Sequence, residues 1–485
     1  MAHLAKPKSD AAGALKKIKA RGDHMSAWTI ESGPLTEEAV AARIERLPLT
    51  SWYRRIMLIV GMAGFFDAFD ALTIAFVLPV LIPLWRIDPG QIGALISIGY
   101  VGQLIGAVGF SWIAERYGRL QVLRWTIAII ALFSFACAFA WSYESLFWLR
   151  FVQGLGLGAE VPIAATYMNE FTRAELRGRL IVLFQAVFAF GIMVTALAAI
   201  WVVPHLGWQW MFIIGALPAL LALWLRRLVP ESPRWLAAHG QIREADQTLS
   251  RIEDAVVKAG AVSLAPLPSN IPTIVKHDAH WTDLFGSDYL GRTLTAWVMA
   301  FATSIVGYGL LAWLPTIYRN IYHLPISQNL QYSFVSYFVG LFGSLSGALL
   351  IDRFGRRPCY TISFLGAGLP LLALWWISRN ALAPLETVVL LASIALFFIS
   401  ILLAAIYVYL PEIYPTRMRA LGSGTASSWM RVASIVGPVI VGFILGQAGV
   451  QFVFLFFGAT AIIGALVVIF FTIETKNRVL EEIAR

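Results

Sequence analysis

Charge is what this chain is shortest of. Asp, Glu, Lys and Arg make up 13% of its 485 residues, against about 25% in a soluble domain, so a water-facing surface cannot be built over most of its length. Cysteine is nearly absent: Cys137 and Cys359 fall in apolar segments of opposite halves, which leaves no plausible disulfide and makes both packing residues. No Asn-x-Ser/Thr sequon occurs. There is no metal-ligand spacing, no Gly-x-Ser-x-Gly elbow and no phosphate-binding loop, and the seven His are scattered, mostly in the tail and the middle linker. Together these absences argue against an enzyme and against any metal or cofactor. No short apolar core with a small-residue cleavage site precedes Ile56, so no cleavable signal peptide is expected, and Met1 and Met25 are both candidate starts.

What fills the chain is apolar: 59% hydrophobic residues, with 18 Trp and 31 Phe. Twelve runs are long enough to span about 30 Å of hydrocarbon, at 55–84, 91–113, 122–141, 145–168, 180–203, 210–229, 293–317, 330–351, 359–378, 386–411, 421–447 and 451–473. This predicts an all-α polytopic membrane protein. Of 37 Lys and Arg, 32 fall on one side of these spans, three on the other (Arg86, Arg319, Arg379) and two within spans. The positive-inside rule then puts both termini in the cytoplasm. The net charge of +9 is thereby an orientation signal, not a nucleic-acid surface. The expected organisation is a cytoplasmic tail (1–53), six spans (54–229), a cytoplasmic linker (230–291), six more spans (292–474) and a short tail (475–485). Leu35–Leu47 predicts a short helix with Val40, Ile44 and Leu47 on one face, leading to an interfacial Trp52-Tyr53-Arg54-Arg55. In the linker, Ile242–Lys258 has helical spacing, whereas the APLPSNIP that follows is turn-rich.

The halves are repeats. AERYGR (Ala114–Arg119) after the second span returns as IDRFGR (Ile351–Arg356) after the eighth, at an offset of 237. Glu170 and Arg177 after the fourth span map to Glu412 and Arg419 after the tenth, each offset 242, and PESPRWL after the sixth has a weaker echo in ETKNRVL after the twelfth. Two parallel six-helix copies imply two bundles with a pathway between them.

Two acids interrupt this apolar plan. Asp67 and Asp70 sit in GFFDAFDALTIAFVLP, inside a run otherwise apolar from Ile56 to Leu84. At i and i+3 they share a helical face, about 60° apart. A buried carboxyl is kept only if it is paired, protonatable or facing water. Arg150 and Glu160 occur in span four, and Arg431 in span eleven. Span one rises and span four descends, which places Arg150 nearer Asp70 than Asp67 and predicts an Arg150–Asp70 pair. Glu160, about 15 Å nearer the cytoplasm on the same helix, extends a descending series of Asp70, Asp67 and Glu160, or else is a packed acid. Arg stays charged, so in such a series it is the counter-ion and a carboxyl carries the proton. Arg431 has no obvious acidic partner in the C-terminal spans and is a candidate to bind an anion. Trp297, Phe301, Ser304 and Tyr308 form one stripe on span seven, a packing face or an aromatic wall for a ring. Gln185 on span five is a weaker polar candidate.

The sequence as a whole resembles the major facilitator superfamily. The resemblance rests on the D-R-x-G-R-R of Asp352–Arg357, on its degenerate first copy around Glu115 with Gly109 ahead of it, on RFVQGLGLG from Arg150 and on PESPRWL. It implies twelve helices in two pseudo-symmetric bundles and a functional monomer. It also implies a cytoplasmic gate drawn from Gly109, Glu115, Arg116, Gly118, Arg119, Glu170, Arg177 and Glu231, with Asp352, Arg353, Gly355, Arg356, Glu412 and Arg419 in the second half. The helix-one Asp and helix-four Arg are similar to a pair in sugar porters, DAFD to the D-x-x-D of aromatic-acid proton symporters, and Arg431 with GLLAWLPTIY to nicotinate permeases and organic-anion transporters. Sugar porters carry a pair of Gln where this chain has FATSIVG. The resulting expectation is a proton-coupled symporter in a bacterial inner membrane. It would take a small organic anion on Arg431, flanked by Trp297, Phe301 and Tyr308, and a proton on Asp70 or Asp67. The alternatives are a sugar or organic-cation transporter or uniporter of the same fold, and a non-transporting sensor.

Overall fold

The computed structural model describes residues 37–48, 50–171, 177–217, 229–260, 264, 280–415 and 418–475. Every described element of regular structure is helical. Short helix α1 (Glu37–Glu45) precedes the first long helices, α2 (Ser51–Trp85), α3 (Pro89–Tyr117), α4 (Arg119–Cys137), α5 (Tyr143–Phe171) and α6 (Arg177–His205). Then come α7 (Gln209–Gly215), the linker helices α8 (Pro233–Ala238) and α9 (Ile242–Gly260), and α10 (Ser287–Asn320), α11 (Ile326–Phe354), α12 (Arg356–Ile377), α13 (Leu385–Glu412), α14 (Arg419–Gln447) and α15 (Val450–Phe471). These match the predicted spans; the sixth is seen only as α7, since 218–228 lie outside the described residues. Ten helices among the described residues are long and apolar enough to cross a membrane. The long helix missing from that set is α5, whose Arg150, Gln153, Glu160 and glycines dilute its hydropathy.

Helix pairing repeats as the sequence does. In the first half α3 packs on α5, α4 on α7 and α2 on α6; in the second α11 packs on α13, α12 on α15 and α10 on α14. Between halves, α3 lies along α14, α2 along α10, and α6 along α11 and α13. The α3–α14 seam is tight at the end away from the linker. A Cβ on Gly93 would run into the Pro438 backbone, and one on Gly442 into Pro89, so only glycine permits this approach. The Ser97 hydroxyl, on the same seam, donates to the Ile435 carbonyl at 2.6 Å.

At the basic end the linker folds back on the first half. Val40, Ile44 and Leu47 are buried with Ala245, Leu249, Ile252 and Val256 of α9 and with Trp235 of α8. The predicted face is therefore real, and the apolar stripe of α9 covers it. Arg43 joins Asp246 at 2.6 Å and Glu253 at 2.7 Å, and Arg46 joins Glu253 at 2.7 Å. Burial pushes the Glu253 carboxyl up, but the two guanidiniums outweigh it and hold it below its ordinary range. The predicted linker helix is α9; APLPSNIP lies outside the described residues. Both cysteines are free and buried.

Candidate functional site

The repeated loop motifs build the same joint twice. Gly118 (φ 98°) and Gly355 (φ 95°) turn α3 into α4 and α11 into α12 in a backbone region that side chains rarely adopt. Against each turn lies a carboxylate that caps the following helix. Glu231 accepts from the Leu120 N–H at 3.1 Å, and Glu474 from the Arg356 and Arg357 N–H groups at 2.9 Å each. Burial pushes the Glu231 carboxyl up, opposed by hydrogen bonds from the Ser232 and Leu120 N–H groups. Beside each cap an Arg clamps the next helix, Arg119 to Glu170 (3.3 Å) and Arg356 to Glu412 (2.8 Å), and Arg119 also reaches back to Glu115 of α3 (2.8 Å).

These ion pairs join helices within one half. Arg116, expected in the charge set, lies over the Trp112 ring at 4.1 Å, and Arg353 over Phe354 at 5.9 Å. Arg419 donates to the Pro411 carbonyl at 3.1 Å. A Cβ on Gly109 would meet nothing within 4 Å, so it is not a close-approach position here. Arg177 and Asp352 lie at helix ends, and their side chains, like that of Gln185 on α6, fall outside the described part of the structure.

Asp70 and Arg150 are brought together, but the predicted direct pair is not formed. Arg150 Nη1 donates to the Asp70 backbone carbonyl at 3.3 Å and to Gln153 Oε1 at 2.8 Å. Gln153 Nε2 in turn donates to Asp70 Oδ2 at 2.7 Å, and the Ser134 hydroxyl donates to the same carboxylate at 2.7 Å. Two small residues make room: Gly99 lies under the guanidinium and Gly215 beside Asp70 Oδ1. The correction has a physical cause. Gln153, one turn below Arg150 on α5, reaches the carboxylate first and relays the contact, so Asp70 is fully buried and satisfied by neutral donors. Neither Ser134 nor Gln153 was picked out from sequence. Gln153 was legible as the i+3 neighbour of Arg150; Ser134 carried no signal.

Asp67 is placed differently. It lines a cavity of about 450 Å³ between the halves, together with Tyr100, Gln103, Tyr308, Tyr407 and Arg431. The lining runs along α3 to Ser111 and along α14 to Gly424, near the basic ends of both helices, while the α3–α14 seam closes the other end. Among the described residues the Asp67 carboxylate has no hydrogen-bond partner. The opposite charge it feels most is Arg431, whose Nη2 donates to the Gly158 carbonyl of α5 at 3.4 Å. Arg431 therefore has an acidic neighbour after all, supplied by the other half, which a search of the C-terminal spans could not find. Glu160 is 3% exposed and absent from the lining; Asp67 and Asp70 are the charges acting on it.

Of the α10 stripe, only Tyr308 lines the cavity. Trp297 donates to Thr425 Oγ1 at 3.2 Å and its ring lies 5.5 Å from that of Trp429; Phe301 also meets Trp429, at 6.0 Å. Ser304 donates to the Met430 carbonyl at 2.7 Å. These three pack α10 on α14, which for Trp297 and Phe301 corrects their expected place at the ligand, because α10 and α14 are paired along their length. The aromatic wall is made instead by Tyr100, Tyr308 and Tyr407, with Tyr100 and Tyr308 rings 6.2 Å apart. Tyr100, Gln103 and Tyr407 were missed because an isolated Tyr or Gln in an apolar span does not reveal which way it faces.

Residues 85–485 match the family model described as sugar (and other) transporter. The niacin transporter NiaP of Acinetobacter baylyi is 32% identical over 448 residues, covering 92% of this chain and 99% of its own. A putative niacin/nicotinamide transporter NiaP of Bacillus subtilis is 28% identical, covering 88% of this chain and 98% of its own. Among solved structures, a partially occluded inward-open form of the xylose transporter XylE from E. coli aligns with a TM-score of 0.71 at 19% identity, over 89% of this chain and 100% of that one.

Proposed function

The chain belongs to the sugar (and other) transporter family within the major facilitator superfamily, and from that premise we propose that it is a proton-coupled symporter for a small aromatic or heteroaromatic monocarboxylate. It works by alternating access in a bacterial inner membrane, with the basic end toward the cytoplasm. The observation that carries the reading is Arg431. It is the only cation among the described lining residues of a cavity that holds one acid, Asp67, and one amide, Gln103, and is otherwise aromatic, aliphatic and hydroxylated. At about 450 Å³ that cavity falls in the range of about 300–1,000 Å³ usual for small-ligand sites. A planar carboxylate fits a guanidinium fork in two parallel hydrogen bonds, and Tyr100, Tyr308 and Tyr407 offer flat faces to a ring. The names of the two relatives, a niacin transporter and a putative niacin/nicotinamide transporter, agree with this chemistry. A xylose–proton symporter shares the fold, which makes coupling to protons a natural expectation for a chain that buries Asp67, Asp70 and Glu160.

The test is uptake into proteoliposomes of nicotinate, benzoate, a short aliphatic acid, a hexose and an organic cation, with and without an inward proton gradient. Gradient-driven uptake of nicotinate or benzoate, abolished by a protonophore, is the expected outcome. Uptake of the hexose or the cation in their place, or uptake indifferent to the gradient, would overturn it.

A further inference from the structure

The centre of the molecule holds three carboxyls (Asp67, Asp70, Glu160) and two guanidiniums (Arg150, Arg431) among the described residues. Their surroundings differ. Asp70 is sealed and held by Ser134 and Gln153, with Arg150 alongside. Glu160 is buried away from the cavity. Asp67 alone of the three lines it, facing Arg431 from the opposite half, and neither is locked to the other by a hydrogen bond. An anion seated on Arg431 would place a second negative charge in the space Asp67 faces. Like charges sharing one dry site resist being ionised together.

We propose that Asp67 and the substrate carboxylate alternate as the partner of Arg431, so that one proton is loaded onto Asp67 for each monoanion bound. This rests on the reading that Arg431 takes the anion. The charges balance: one negative charge enters with the substrate and one is removed by protonation of Asp67, so the loaded centre carries the same charge as the empty one. Transport is then electroneutral, driven by a pH difference and indifferent to membrane potential. The proton comes from whichever aqueous phase the cavity faces and leaves from the same oxygen when Asp67 regains Arg431. The other groups facing Asp67 are Asp70 on its own helix, Tyr100 on α3, Glu160 on α5, Tyr308 on α10 and Tyr407 on α13. Arg150 faces Tyr100 and Asp70. Phenols ordinarily titrate near 10, Asp70 is occupied by neutral donors, and Glu160 does not reach the cavity, which leaves Asp67 to exchange with the ligand.

The experiment is calorimetric titration of the purified full-length chain with nicotinate in buffers of different ionisation enthalpy. Expected is the uptake of one proton per nicotinate, with affinity falling up to about tenfold per pH unit on the alkaline side. In Asp67→Asn, proton uptake should vanish and affinity should become independent of pH, at least tenfold tighter than wild type at the alkaline end. Wild-type binding without proton uptake, or Asp67→Asn binding that still takes up a proton, would overturn the exchange. In wild-type proteoliposomes, a potassium diffusion potential should change gradient-driven uptake less than twofold; uptake driven by potential alone would also overturn it. Failure of the wild type to bind nicotinate or benzoate, or undiminished binding by Arg431→Gln, would instead remove the anion reading beneath it.

Discussion

At their basic ends the two halves are built alike, and at their centres they are not. Each end has a glycine turn, a carboxylate cap and an Arg–Glu clamp: Gly118, Glu231 and Arg119–Glu170 in one, Gly355, Glu474 and Arg356–Glu412 in the other. At the centre, the first half buries Asp67, Asp70, Arg150, Gln153 and Glu160, whereas the second offers Arg431 and, behind it, hydroxyls such as Ser304 and Ser434. The difference separates two demands. Each basic end joins its own helices in the same way, a joint that holds each bundle together. The copies have diverged where they face each other: the first half buries three acids together with Arg150, and the second sets Arg431 opposite them.

The comparison breaks most visibly at Arg431. Arg431→Gln should lower nicotinate binding by about 2–5 kcal/mol, the usual cost of truncating one member of a buried charge pair, with Arg431→Lys between it and wild type; unchanged affinity would leave the second half without a functional centre. Next in size is Gln153. Gln153→Leu removes the relay between Arg150 and Asp70 and should cost about 3 kcal/mol of stability by leaving buried charges short of partners, read as a lowered unfolding temperature in detergent. Ser304→Ala, which removes two neutral hydrogen bonds at the second centre, to Met430 and Ser434, should cost only about 2 kcal/mol. Equal losses would mean that the two centres are not energetically distinct.

At the basic ends equality is the expectation. Glu231→Gln and Glu474→Gln should each cost about 1 kcal/mol, as lost helix caps do, and a large disparity would show that the joint is no longer shared. The smallest effect lies in the clasp of α1 on α9, which has no counterpart among the described residues of the second half. Because Glu253 is held below its ordinary range by Arg43 and Arg46, its contribution is fully present above the unfolded carboxyl's titration and is lost as pH falls through the lower, folded value. Hydrogen exchange over residues 37–47 should therefore quicken under acid conditions, after correction for the intrinsic rate, and much less so in Glu253→Gln. Identical pH profiles would remove Glu253 as the cause.

The spans, their repeat and the acids in the membrane were legible because each is a statement about one helix or about two stretches of chain compared. Span four shows the limit of that legibility from the other side. Its Arg, Gln, Glu and glycines dilute its hydropathy, and those same residues carry the centre of the first half. Helical periodicity put Trp297, Phe301 and Tyr308 on one stripe, but a stripe some 60° wide can turn most of its residues to α14 and one to the cavity.

From sequence alone came the twelve helices, the two copies, the basic end and the identity of the buried charges, because hydrophobic length, repeat offset and charge bias are properties of the chain itself. Pairing was decided only by tertiary structure. Whether Arg150 meets Asp70 directly or through Gln153 depends on which side chain arrives first across the helix contact. That Arg431 faces Asp67 depends on how two halves, 364 residues apart at these positions, are laid against each other. Inside a membrane protein a charge must find its partner in three dimensions, since no water is there to serve in its place, and the partner carries no mark in the order of the residues.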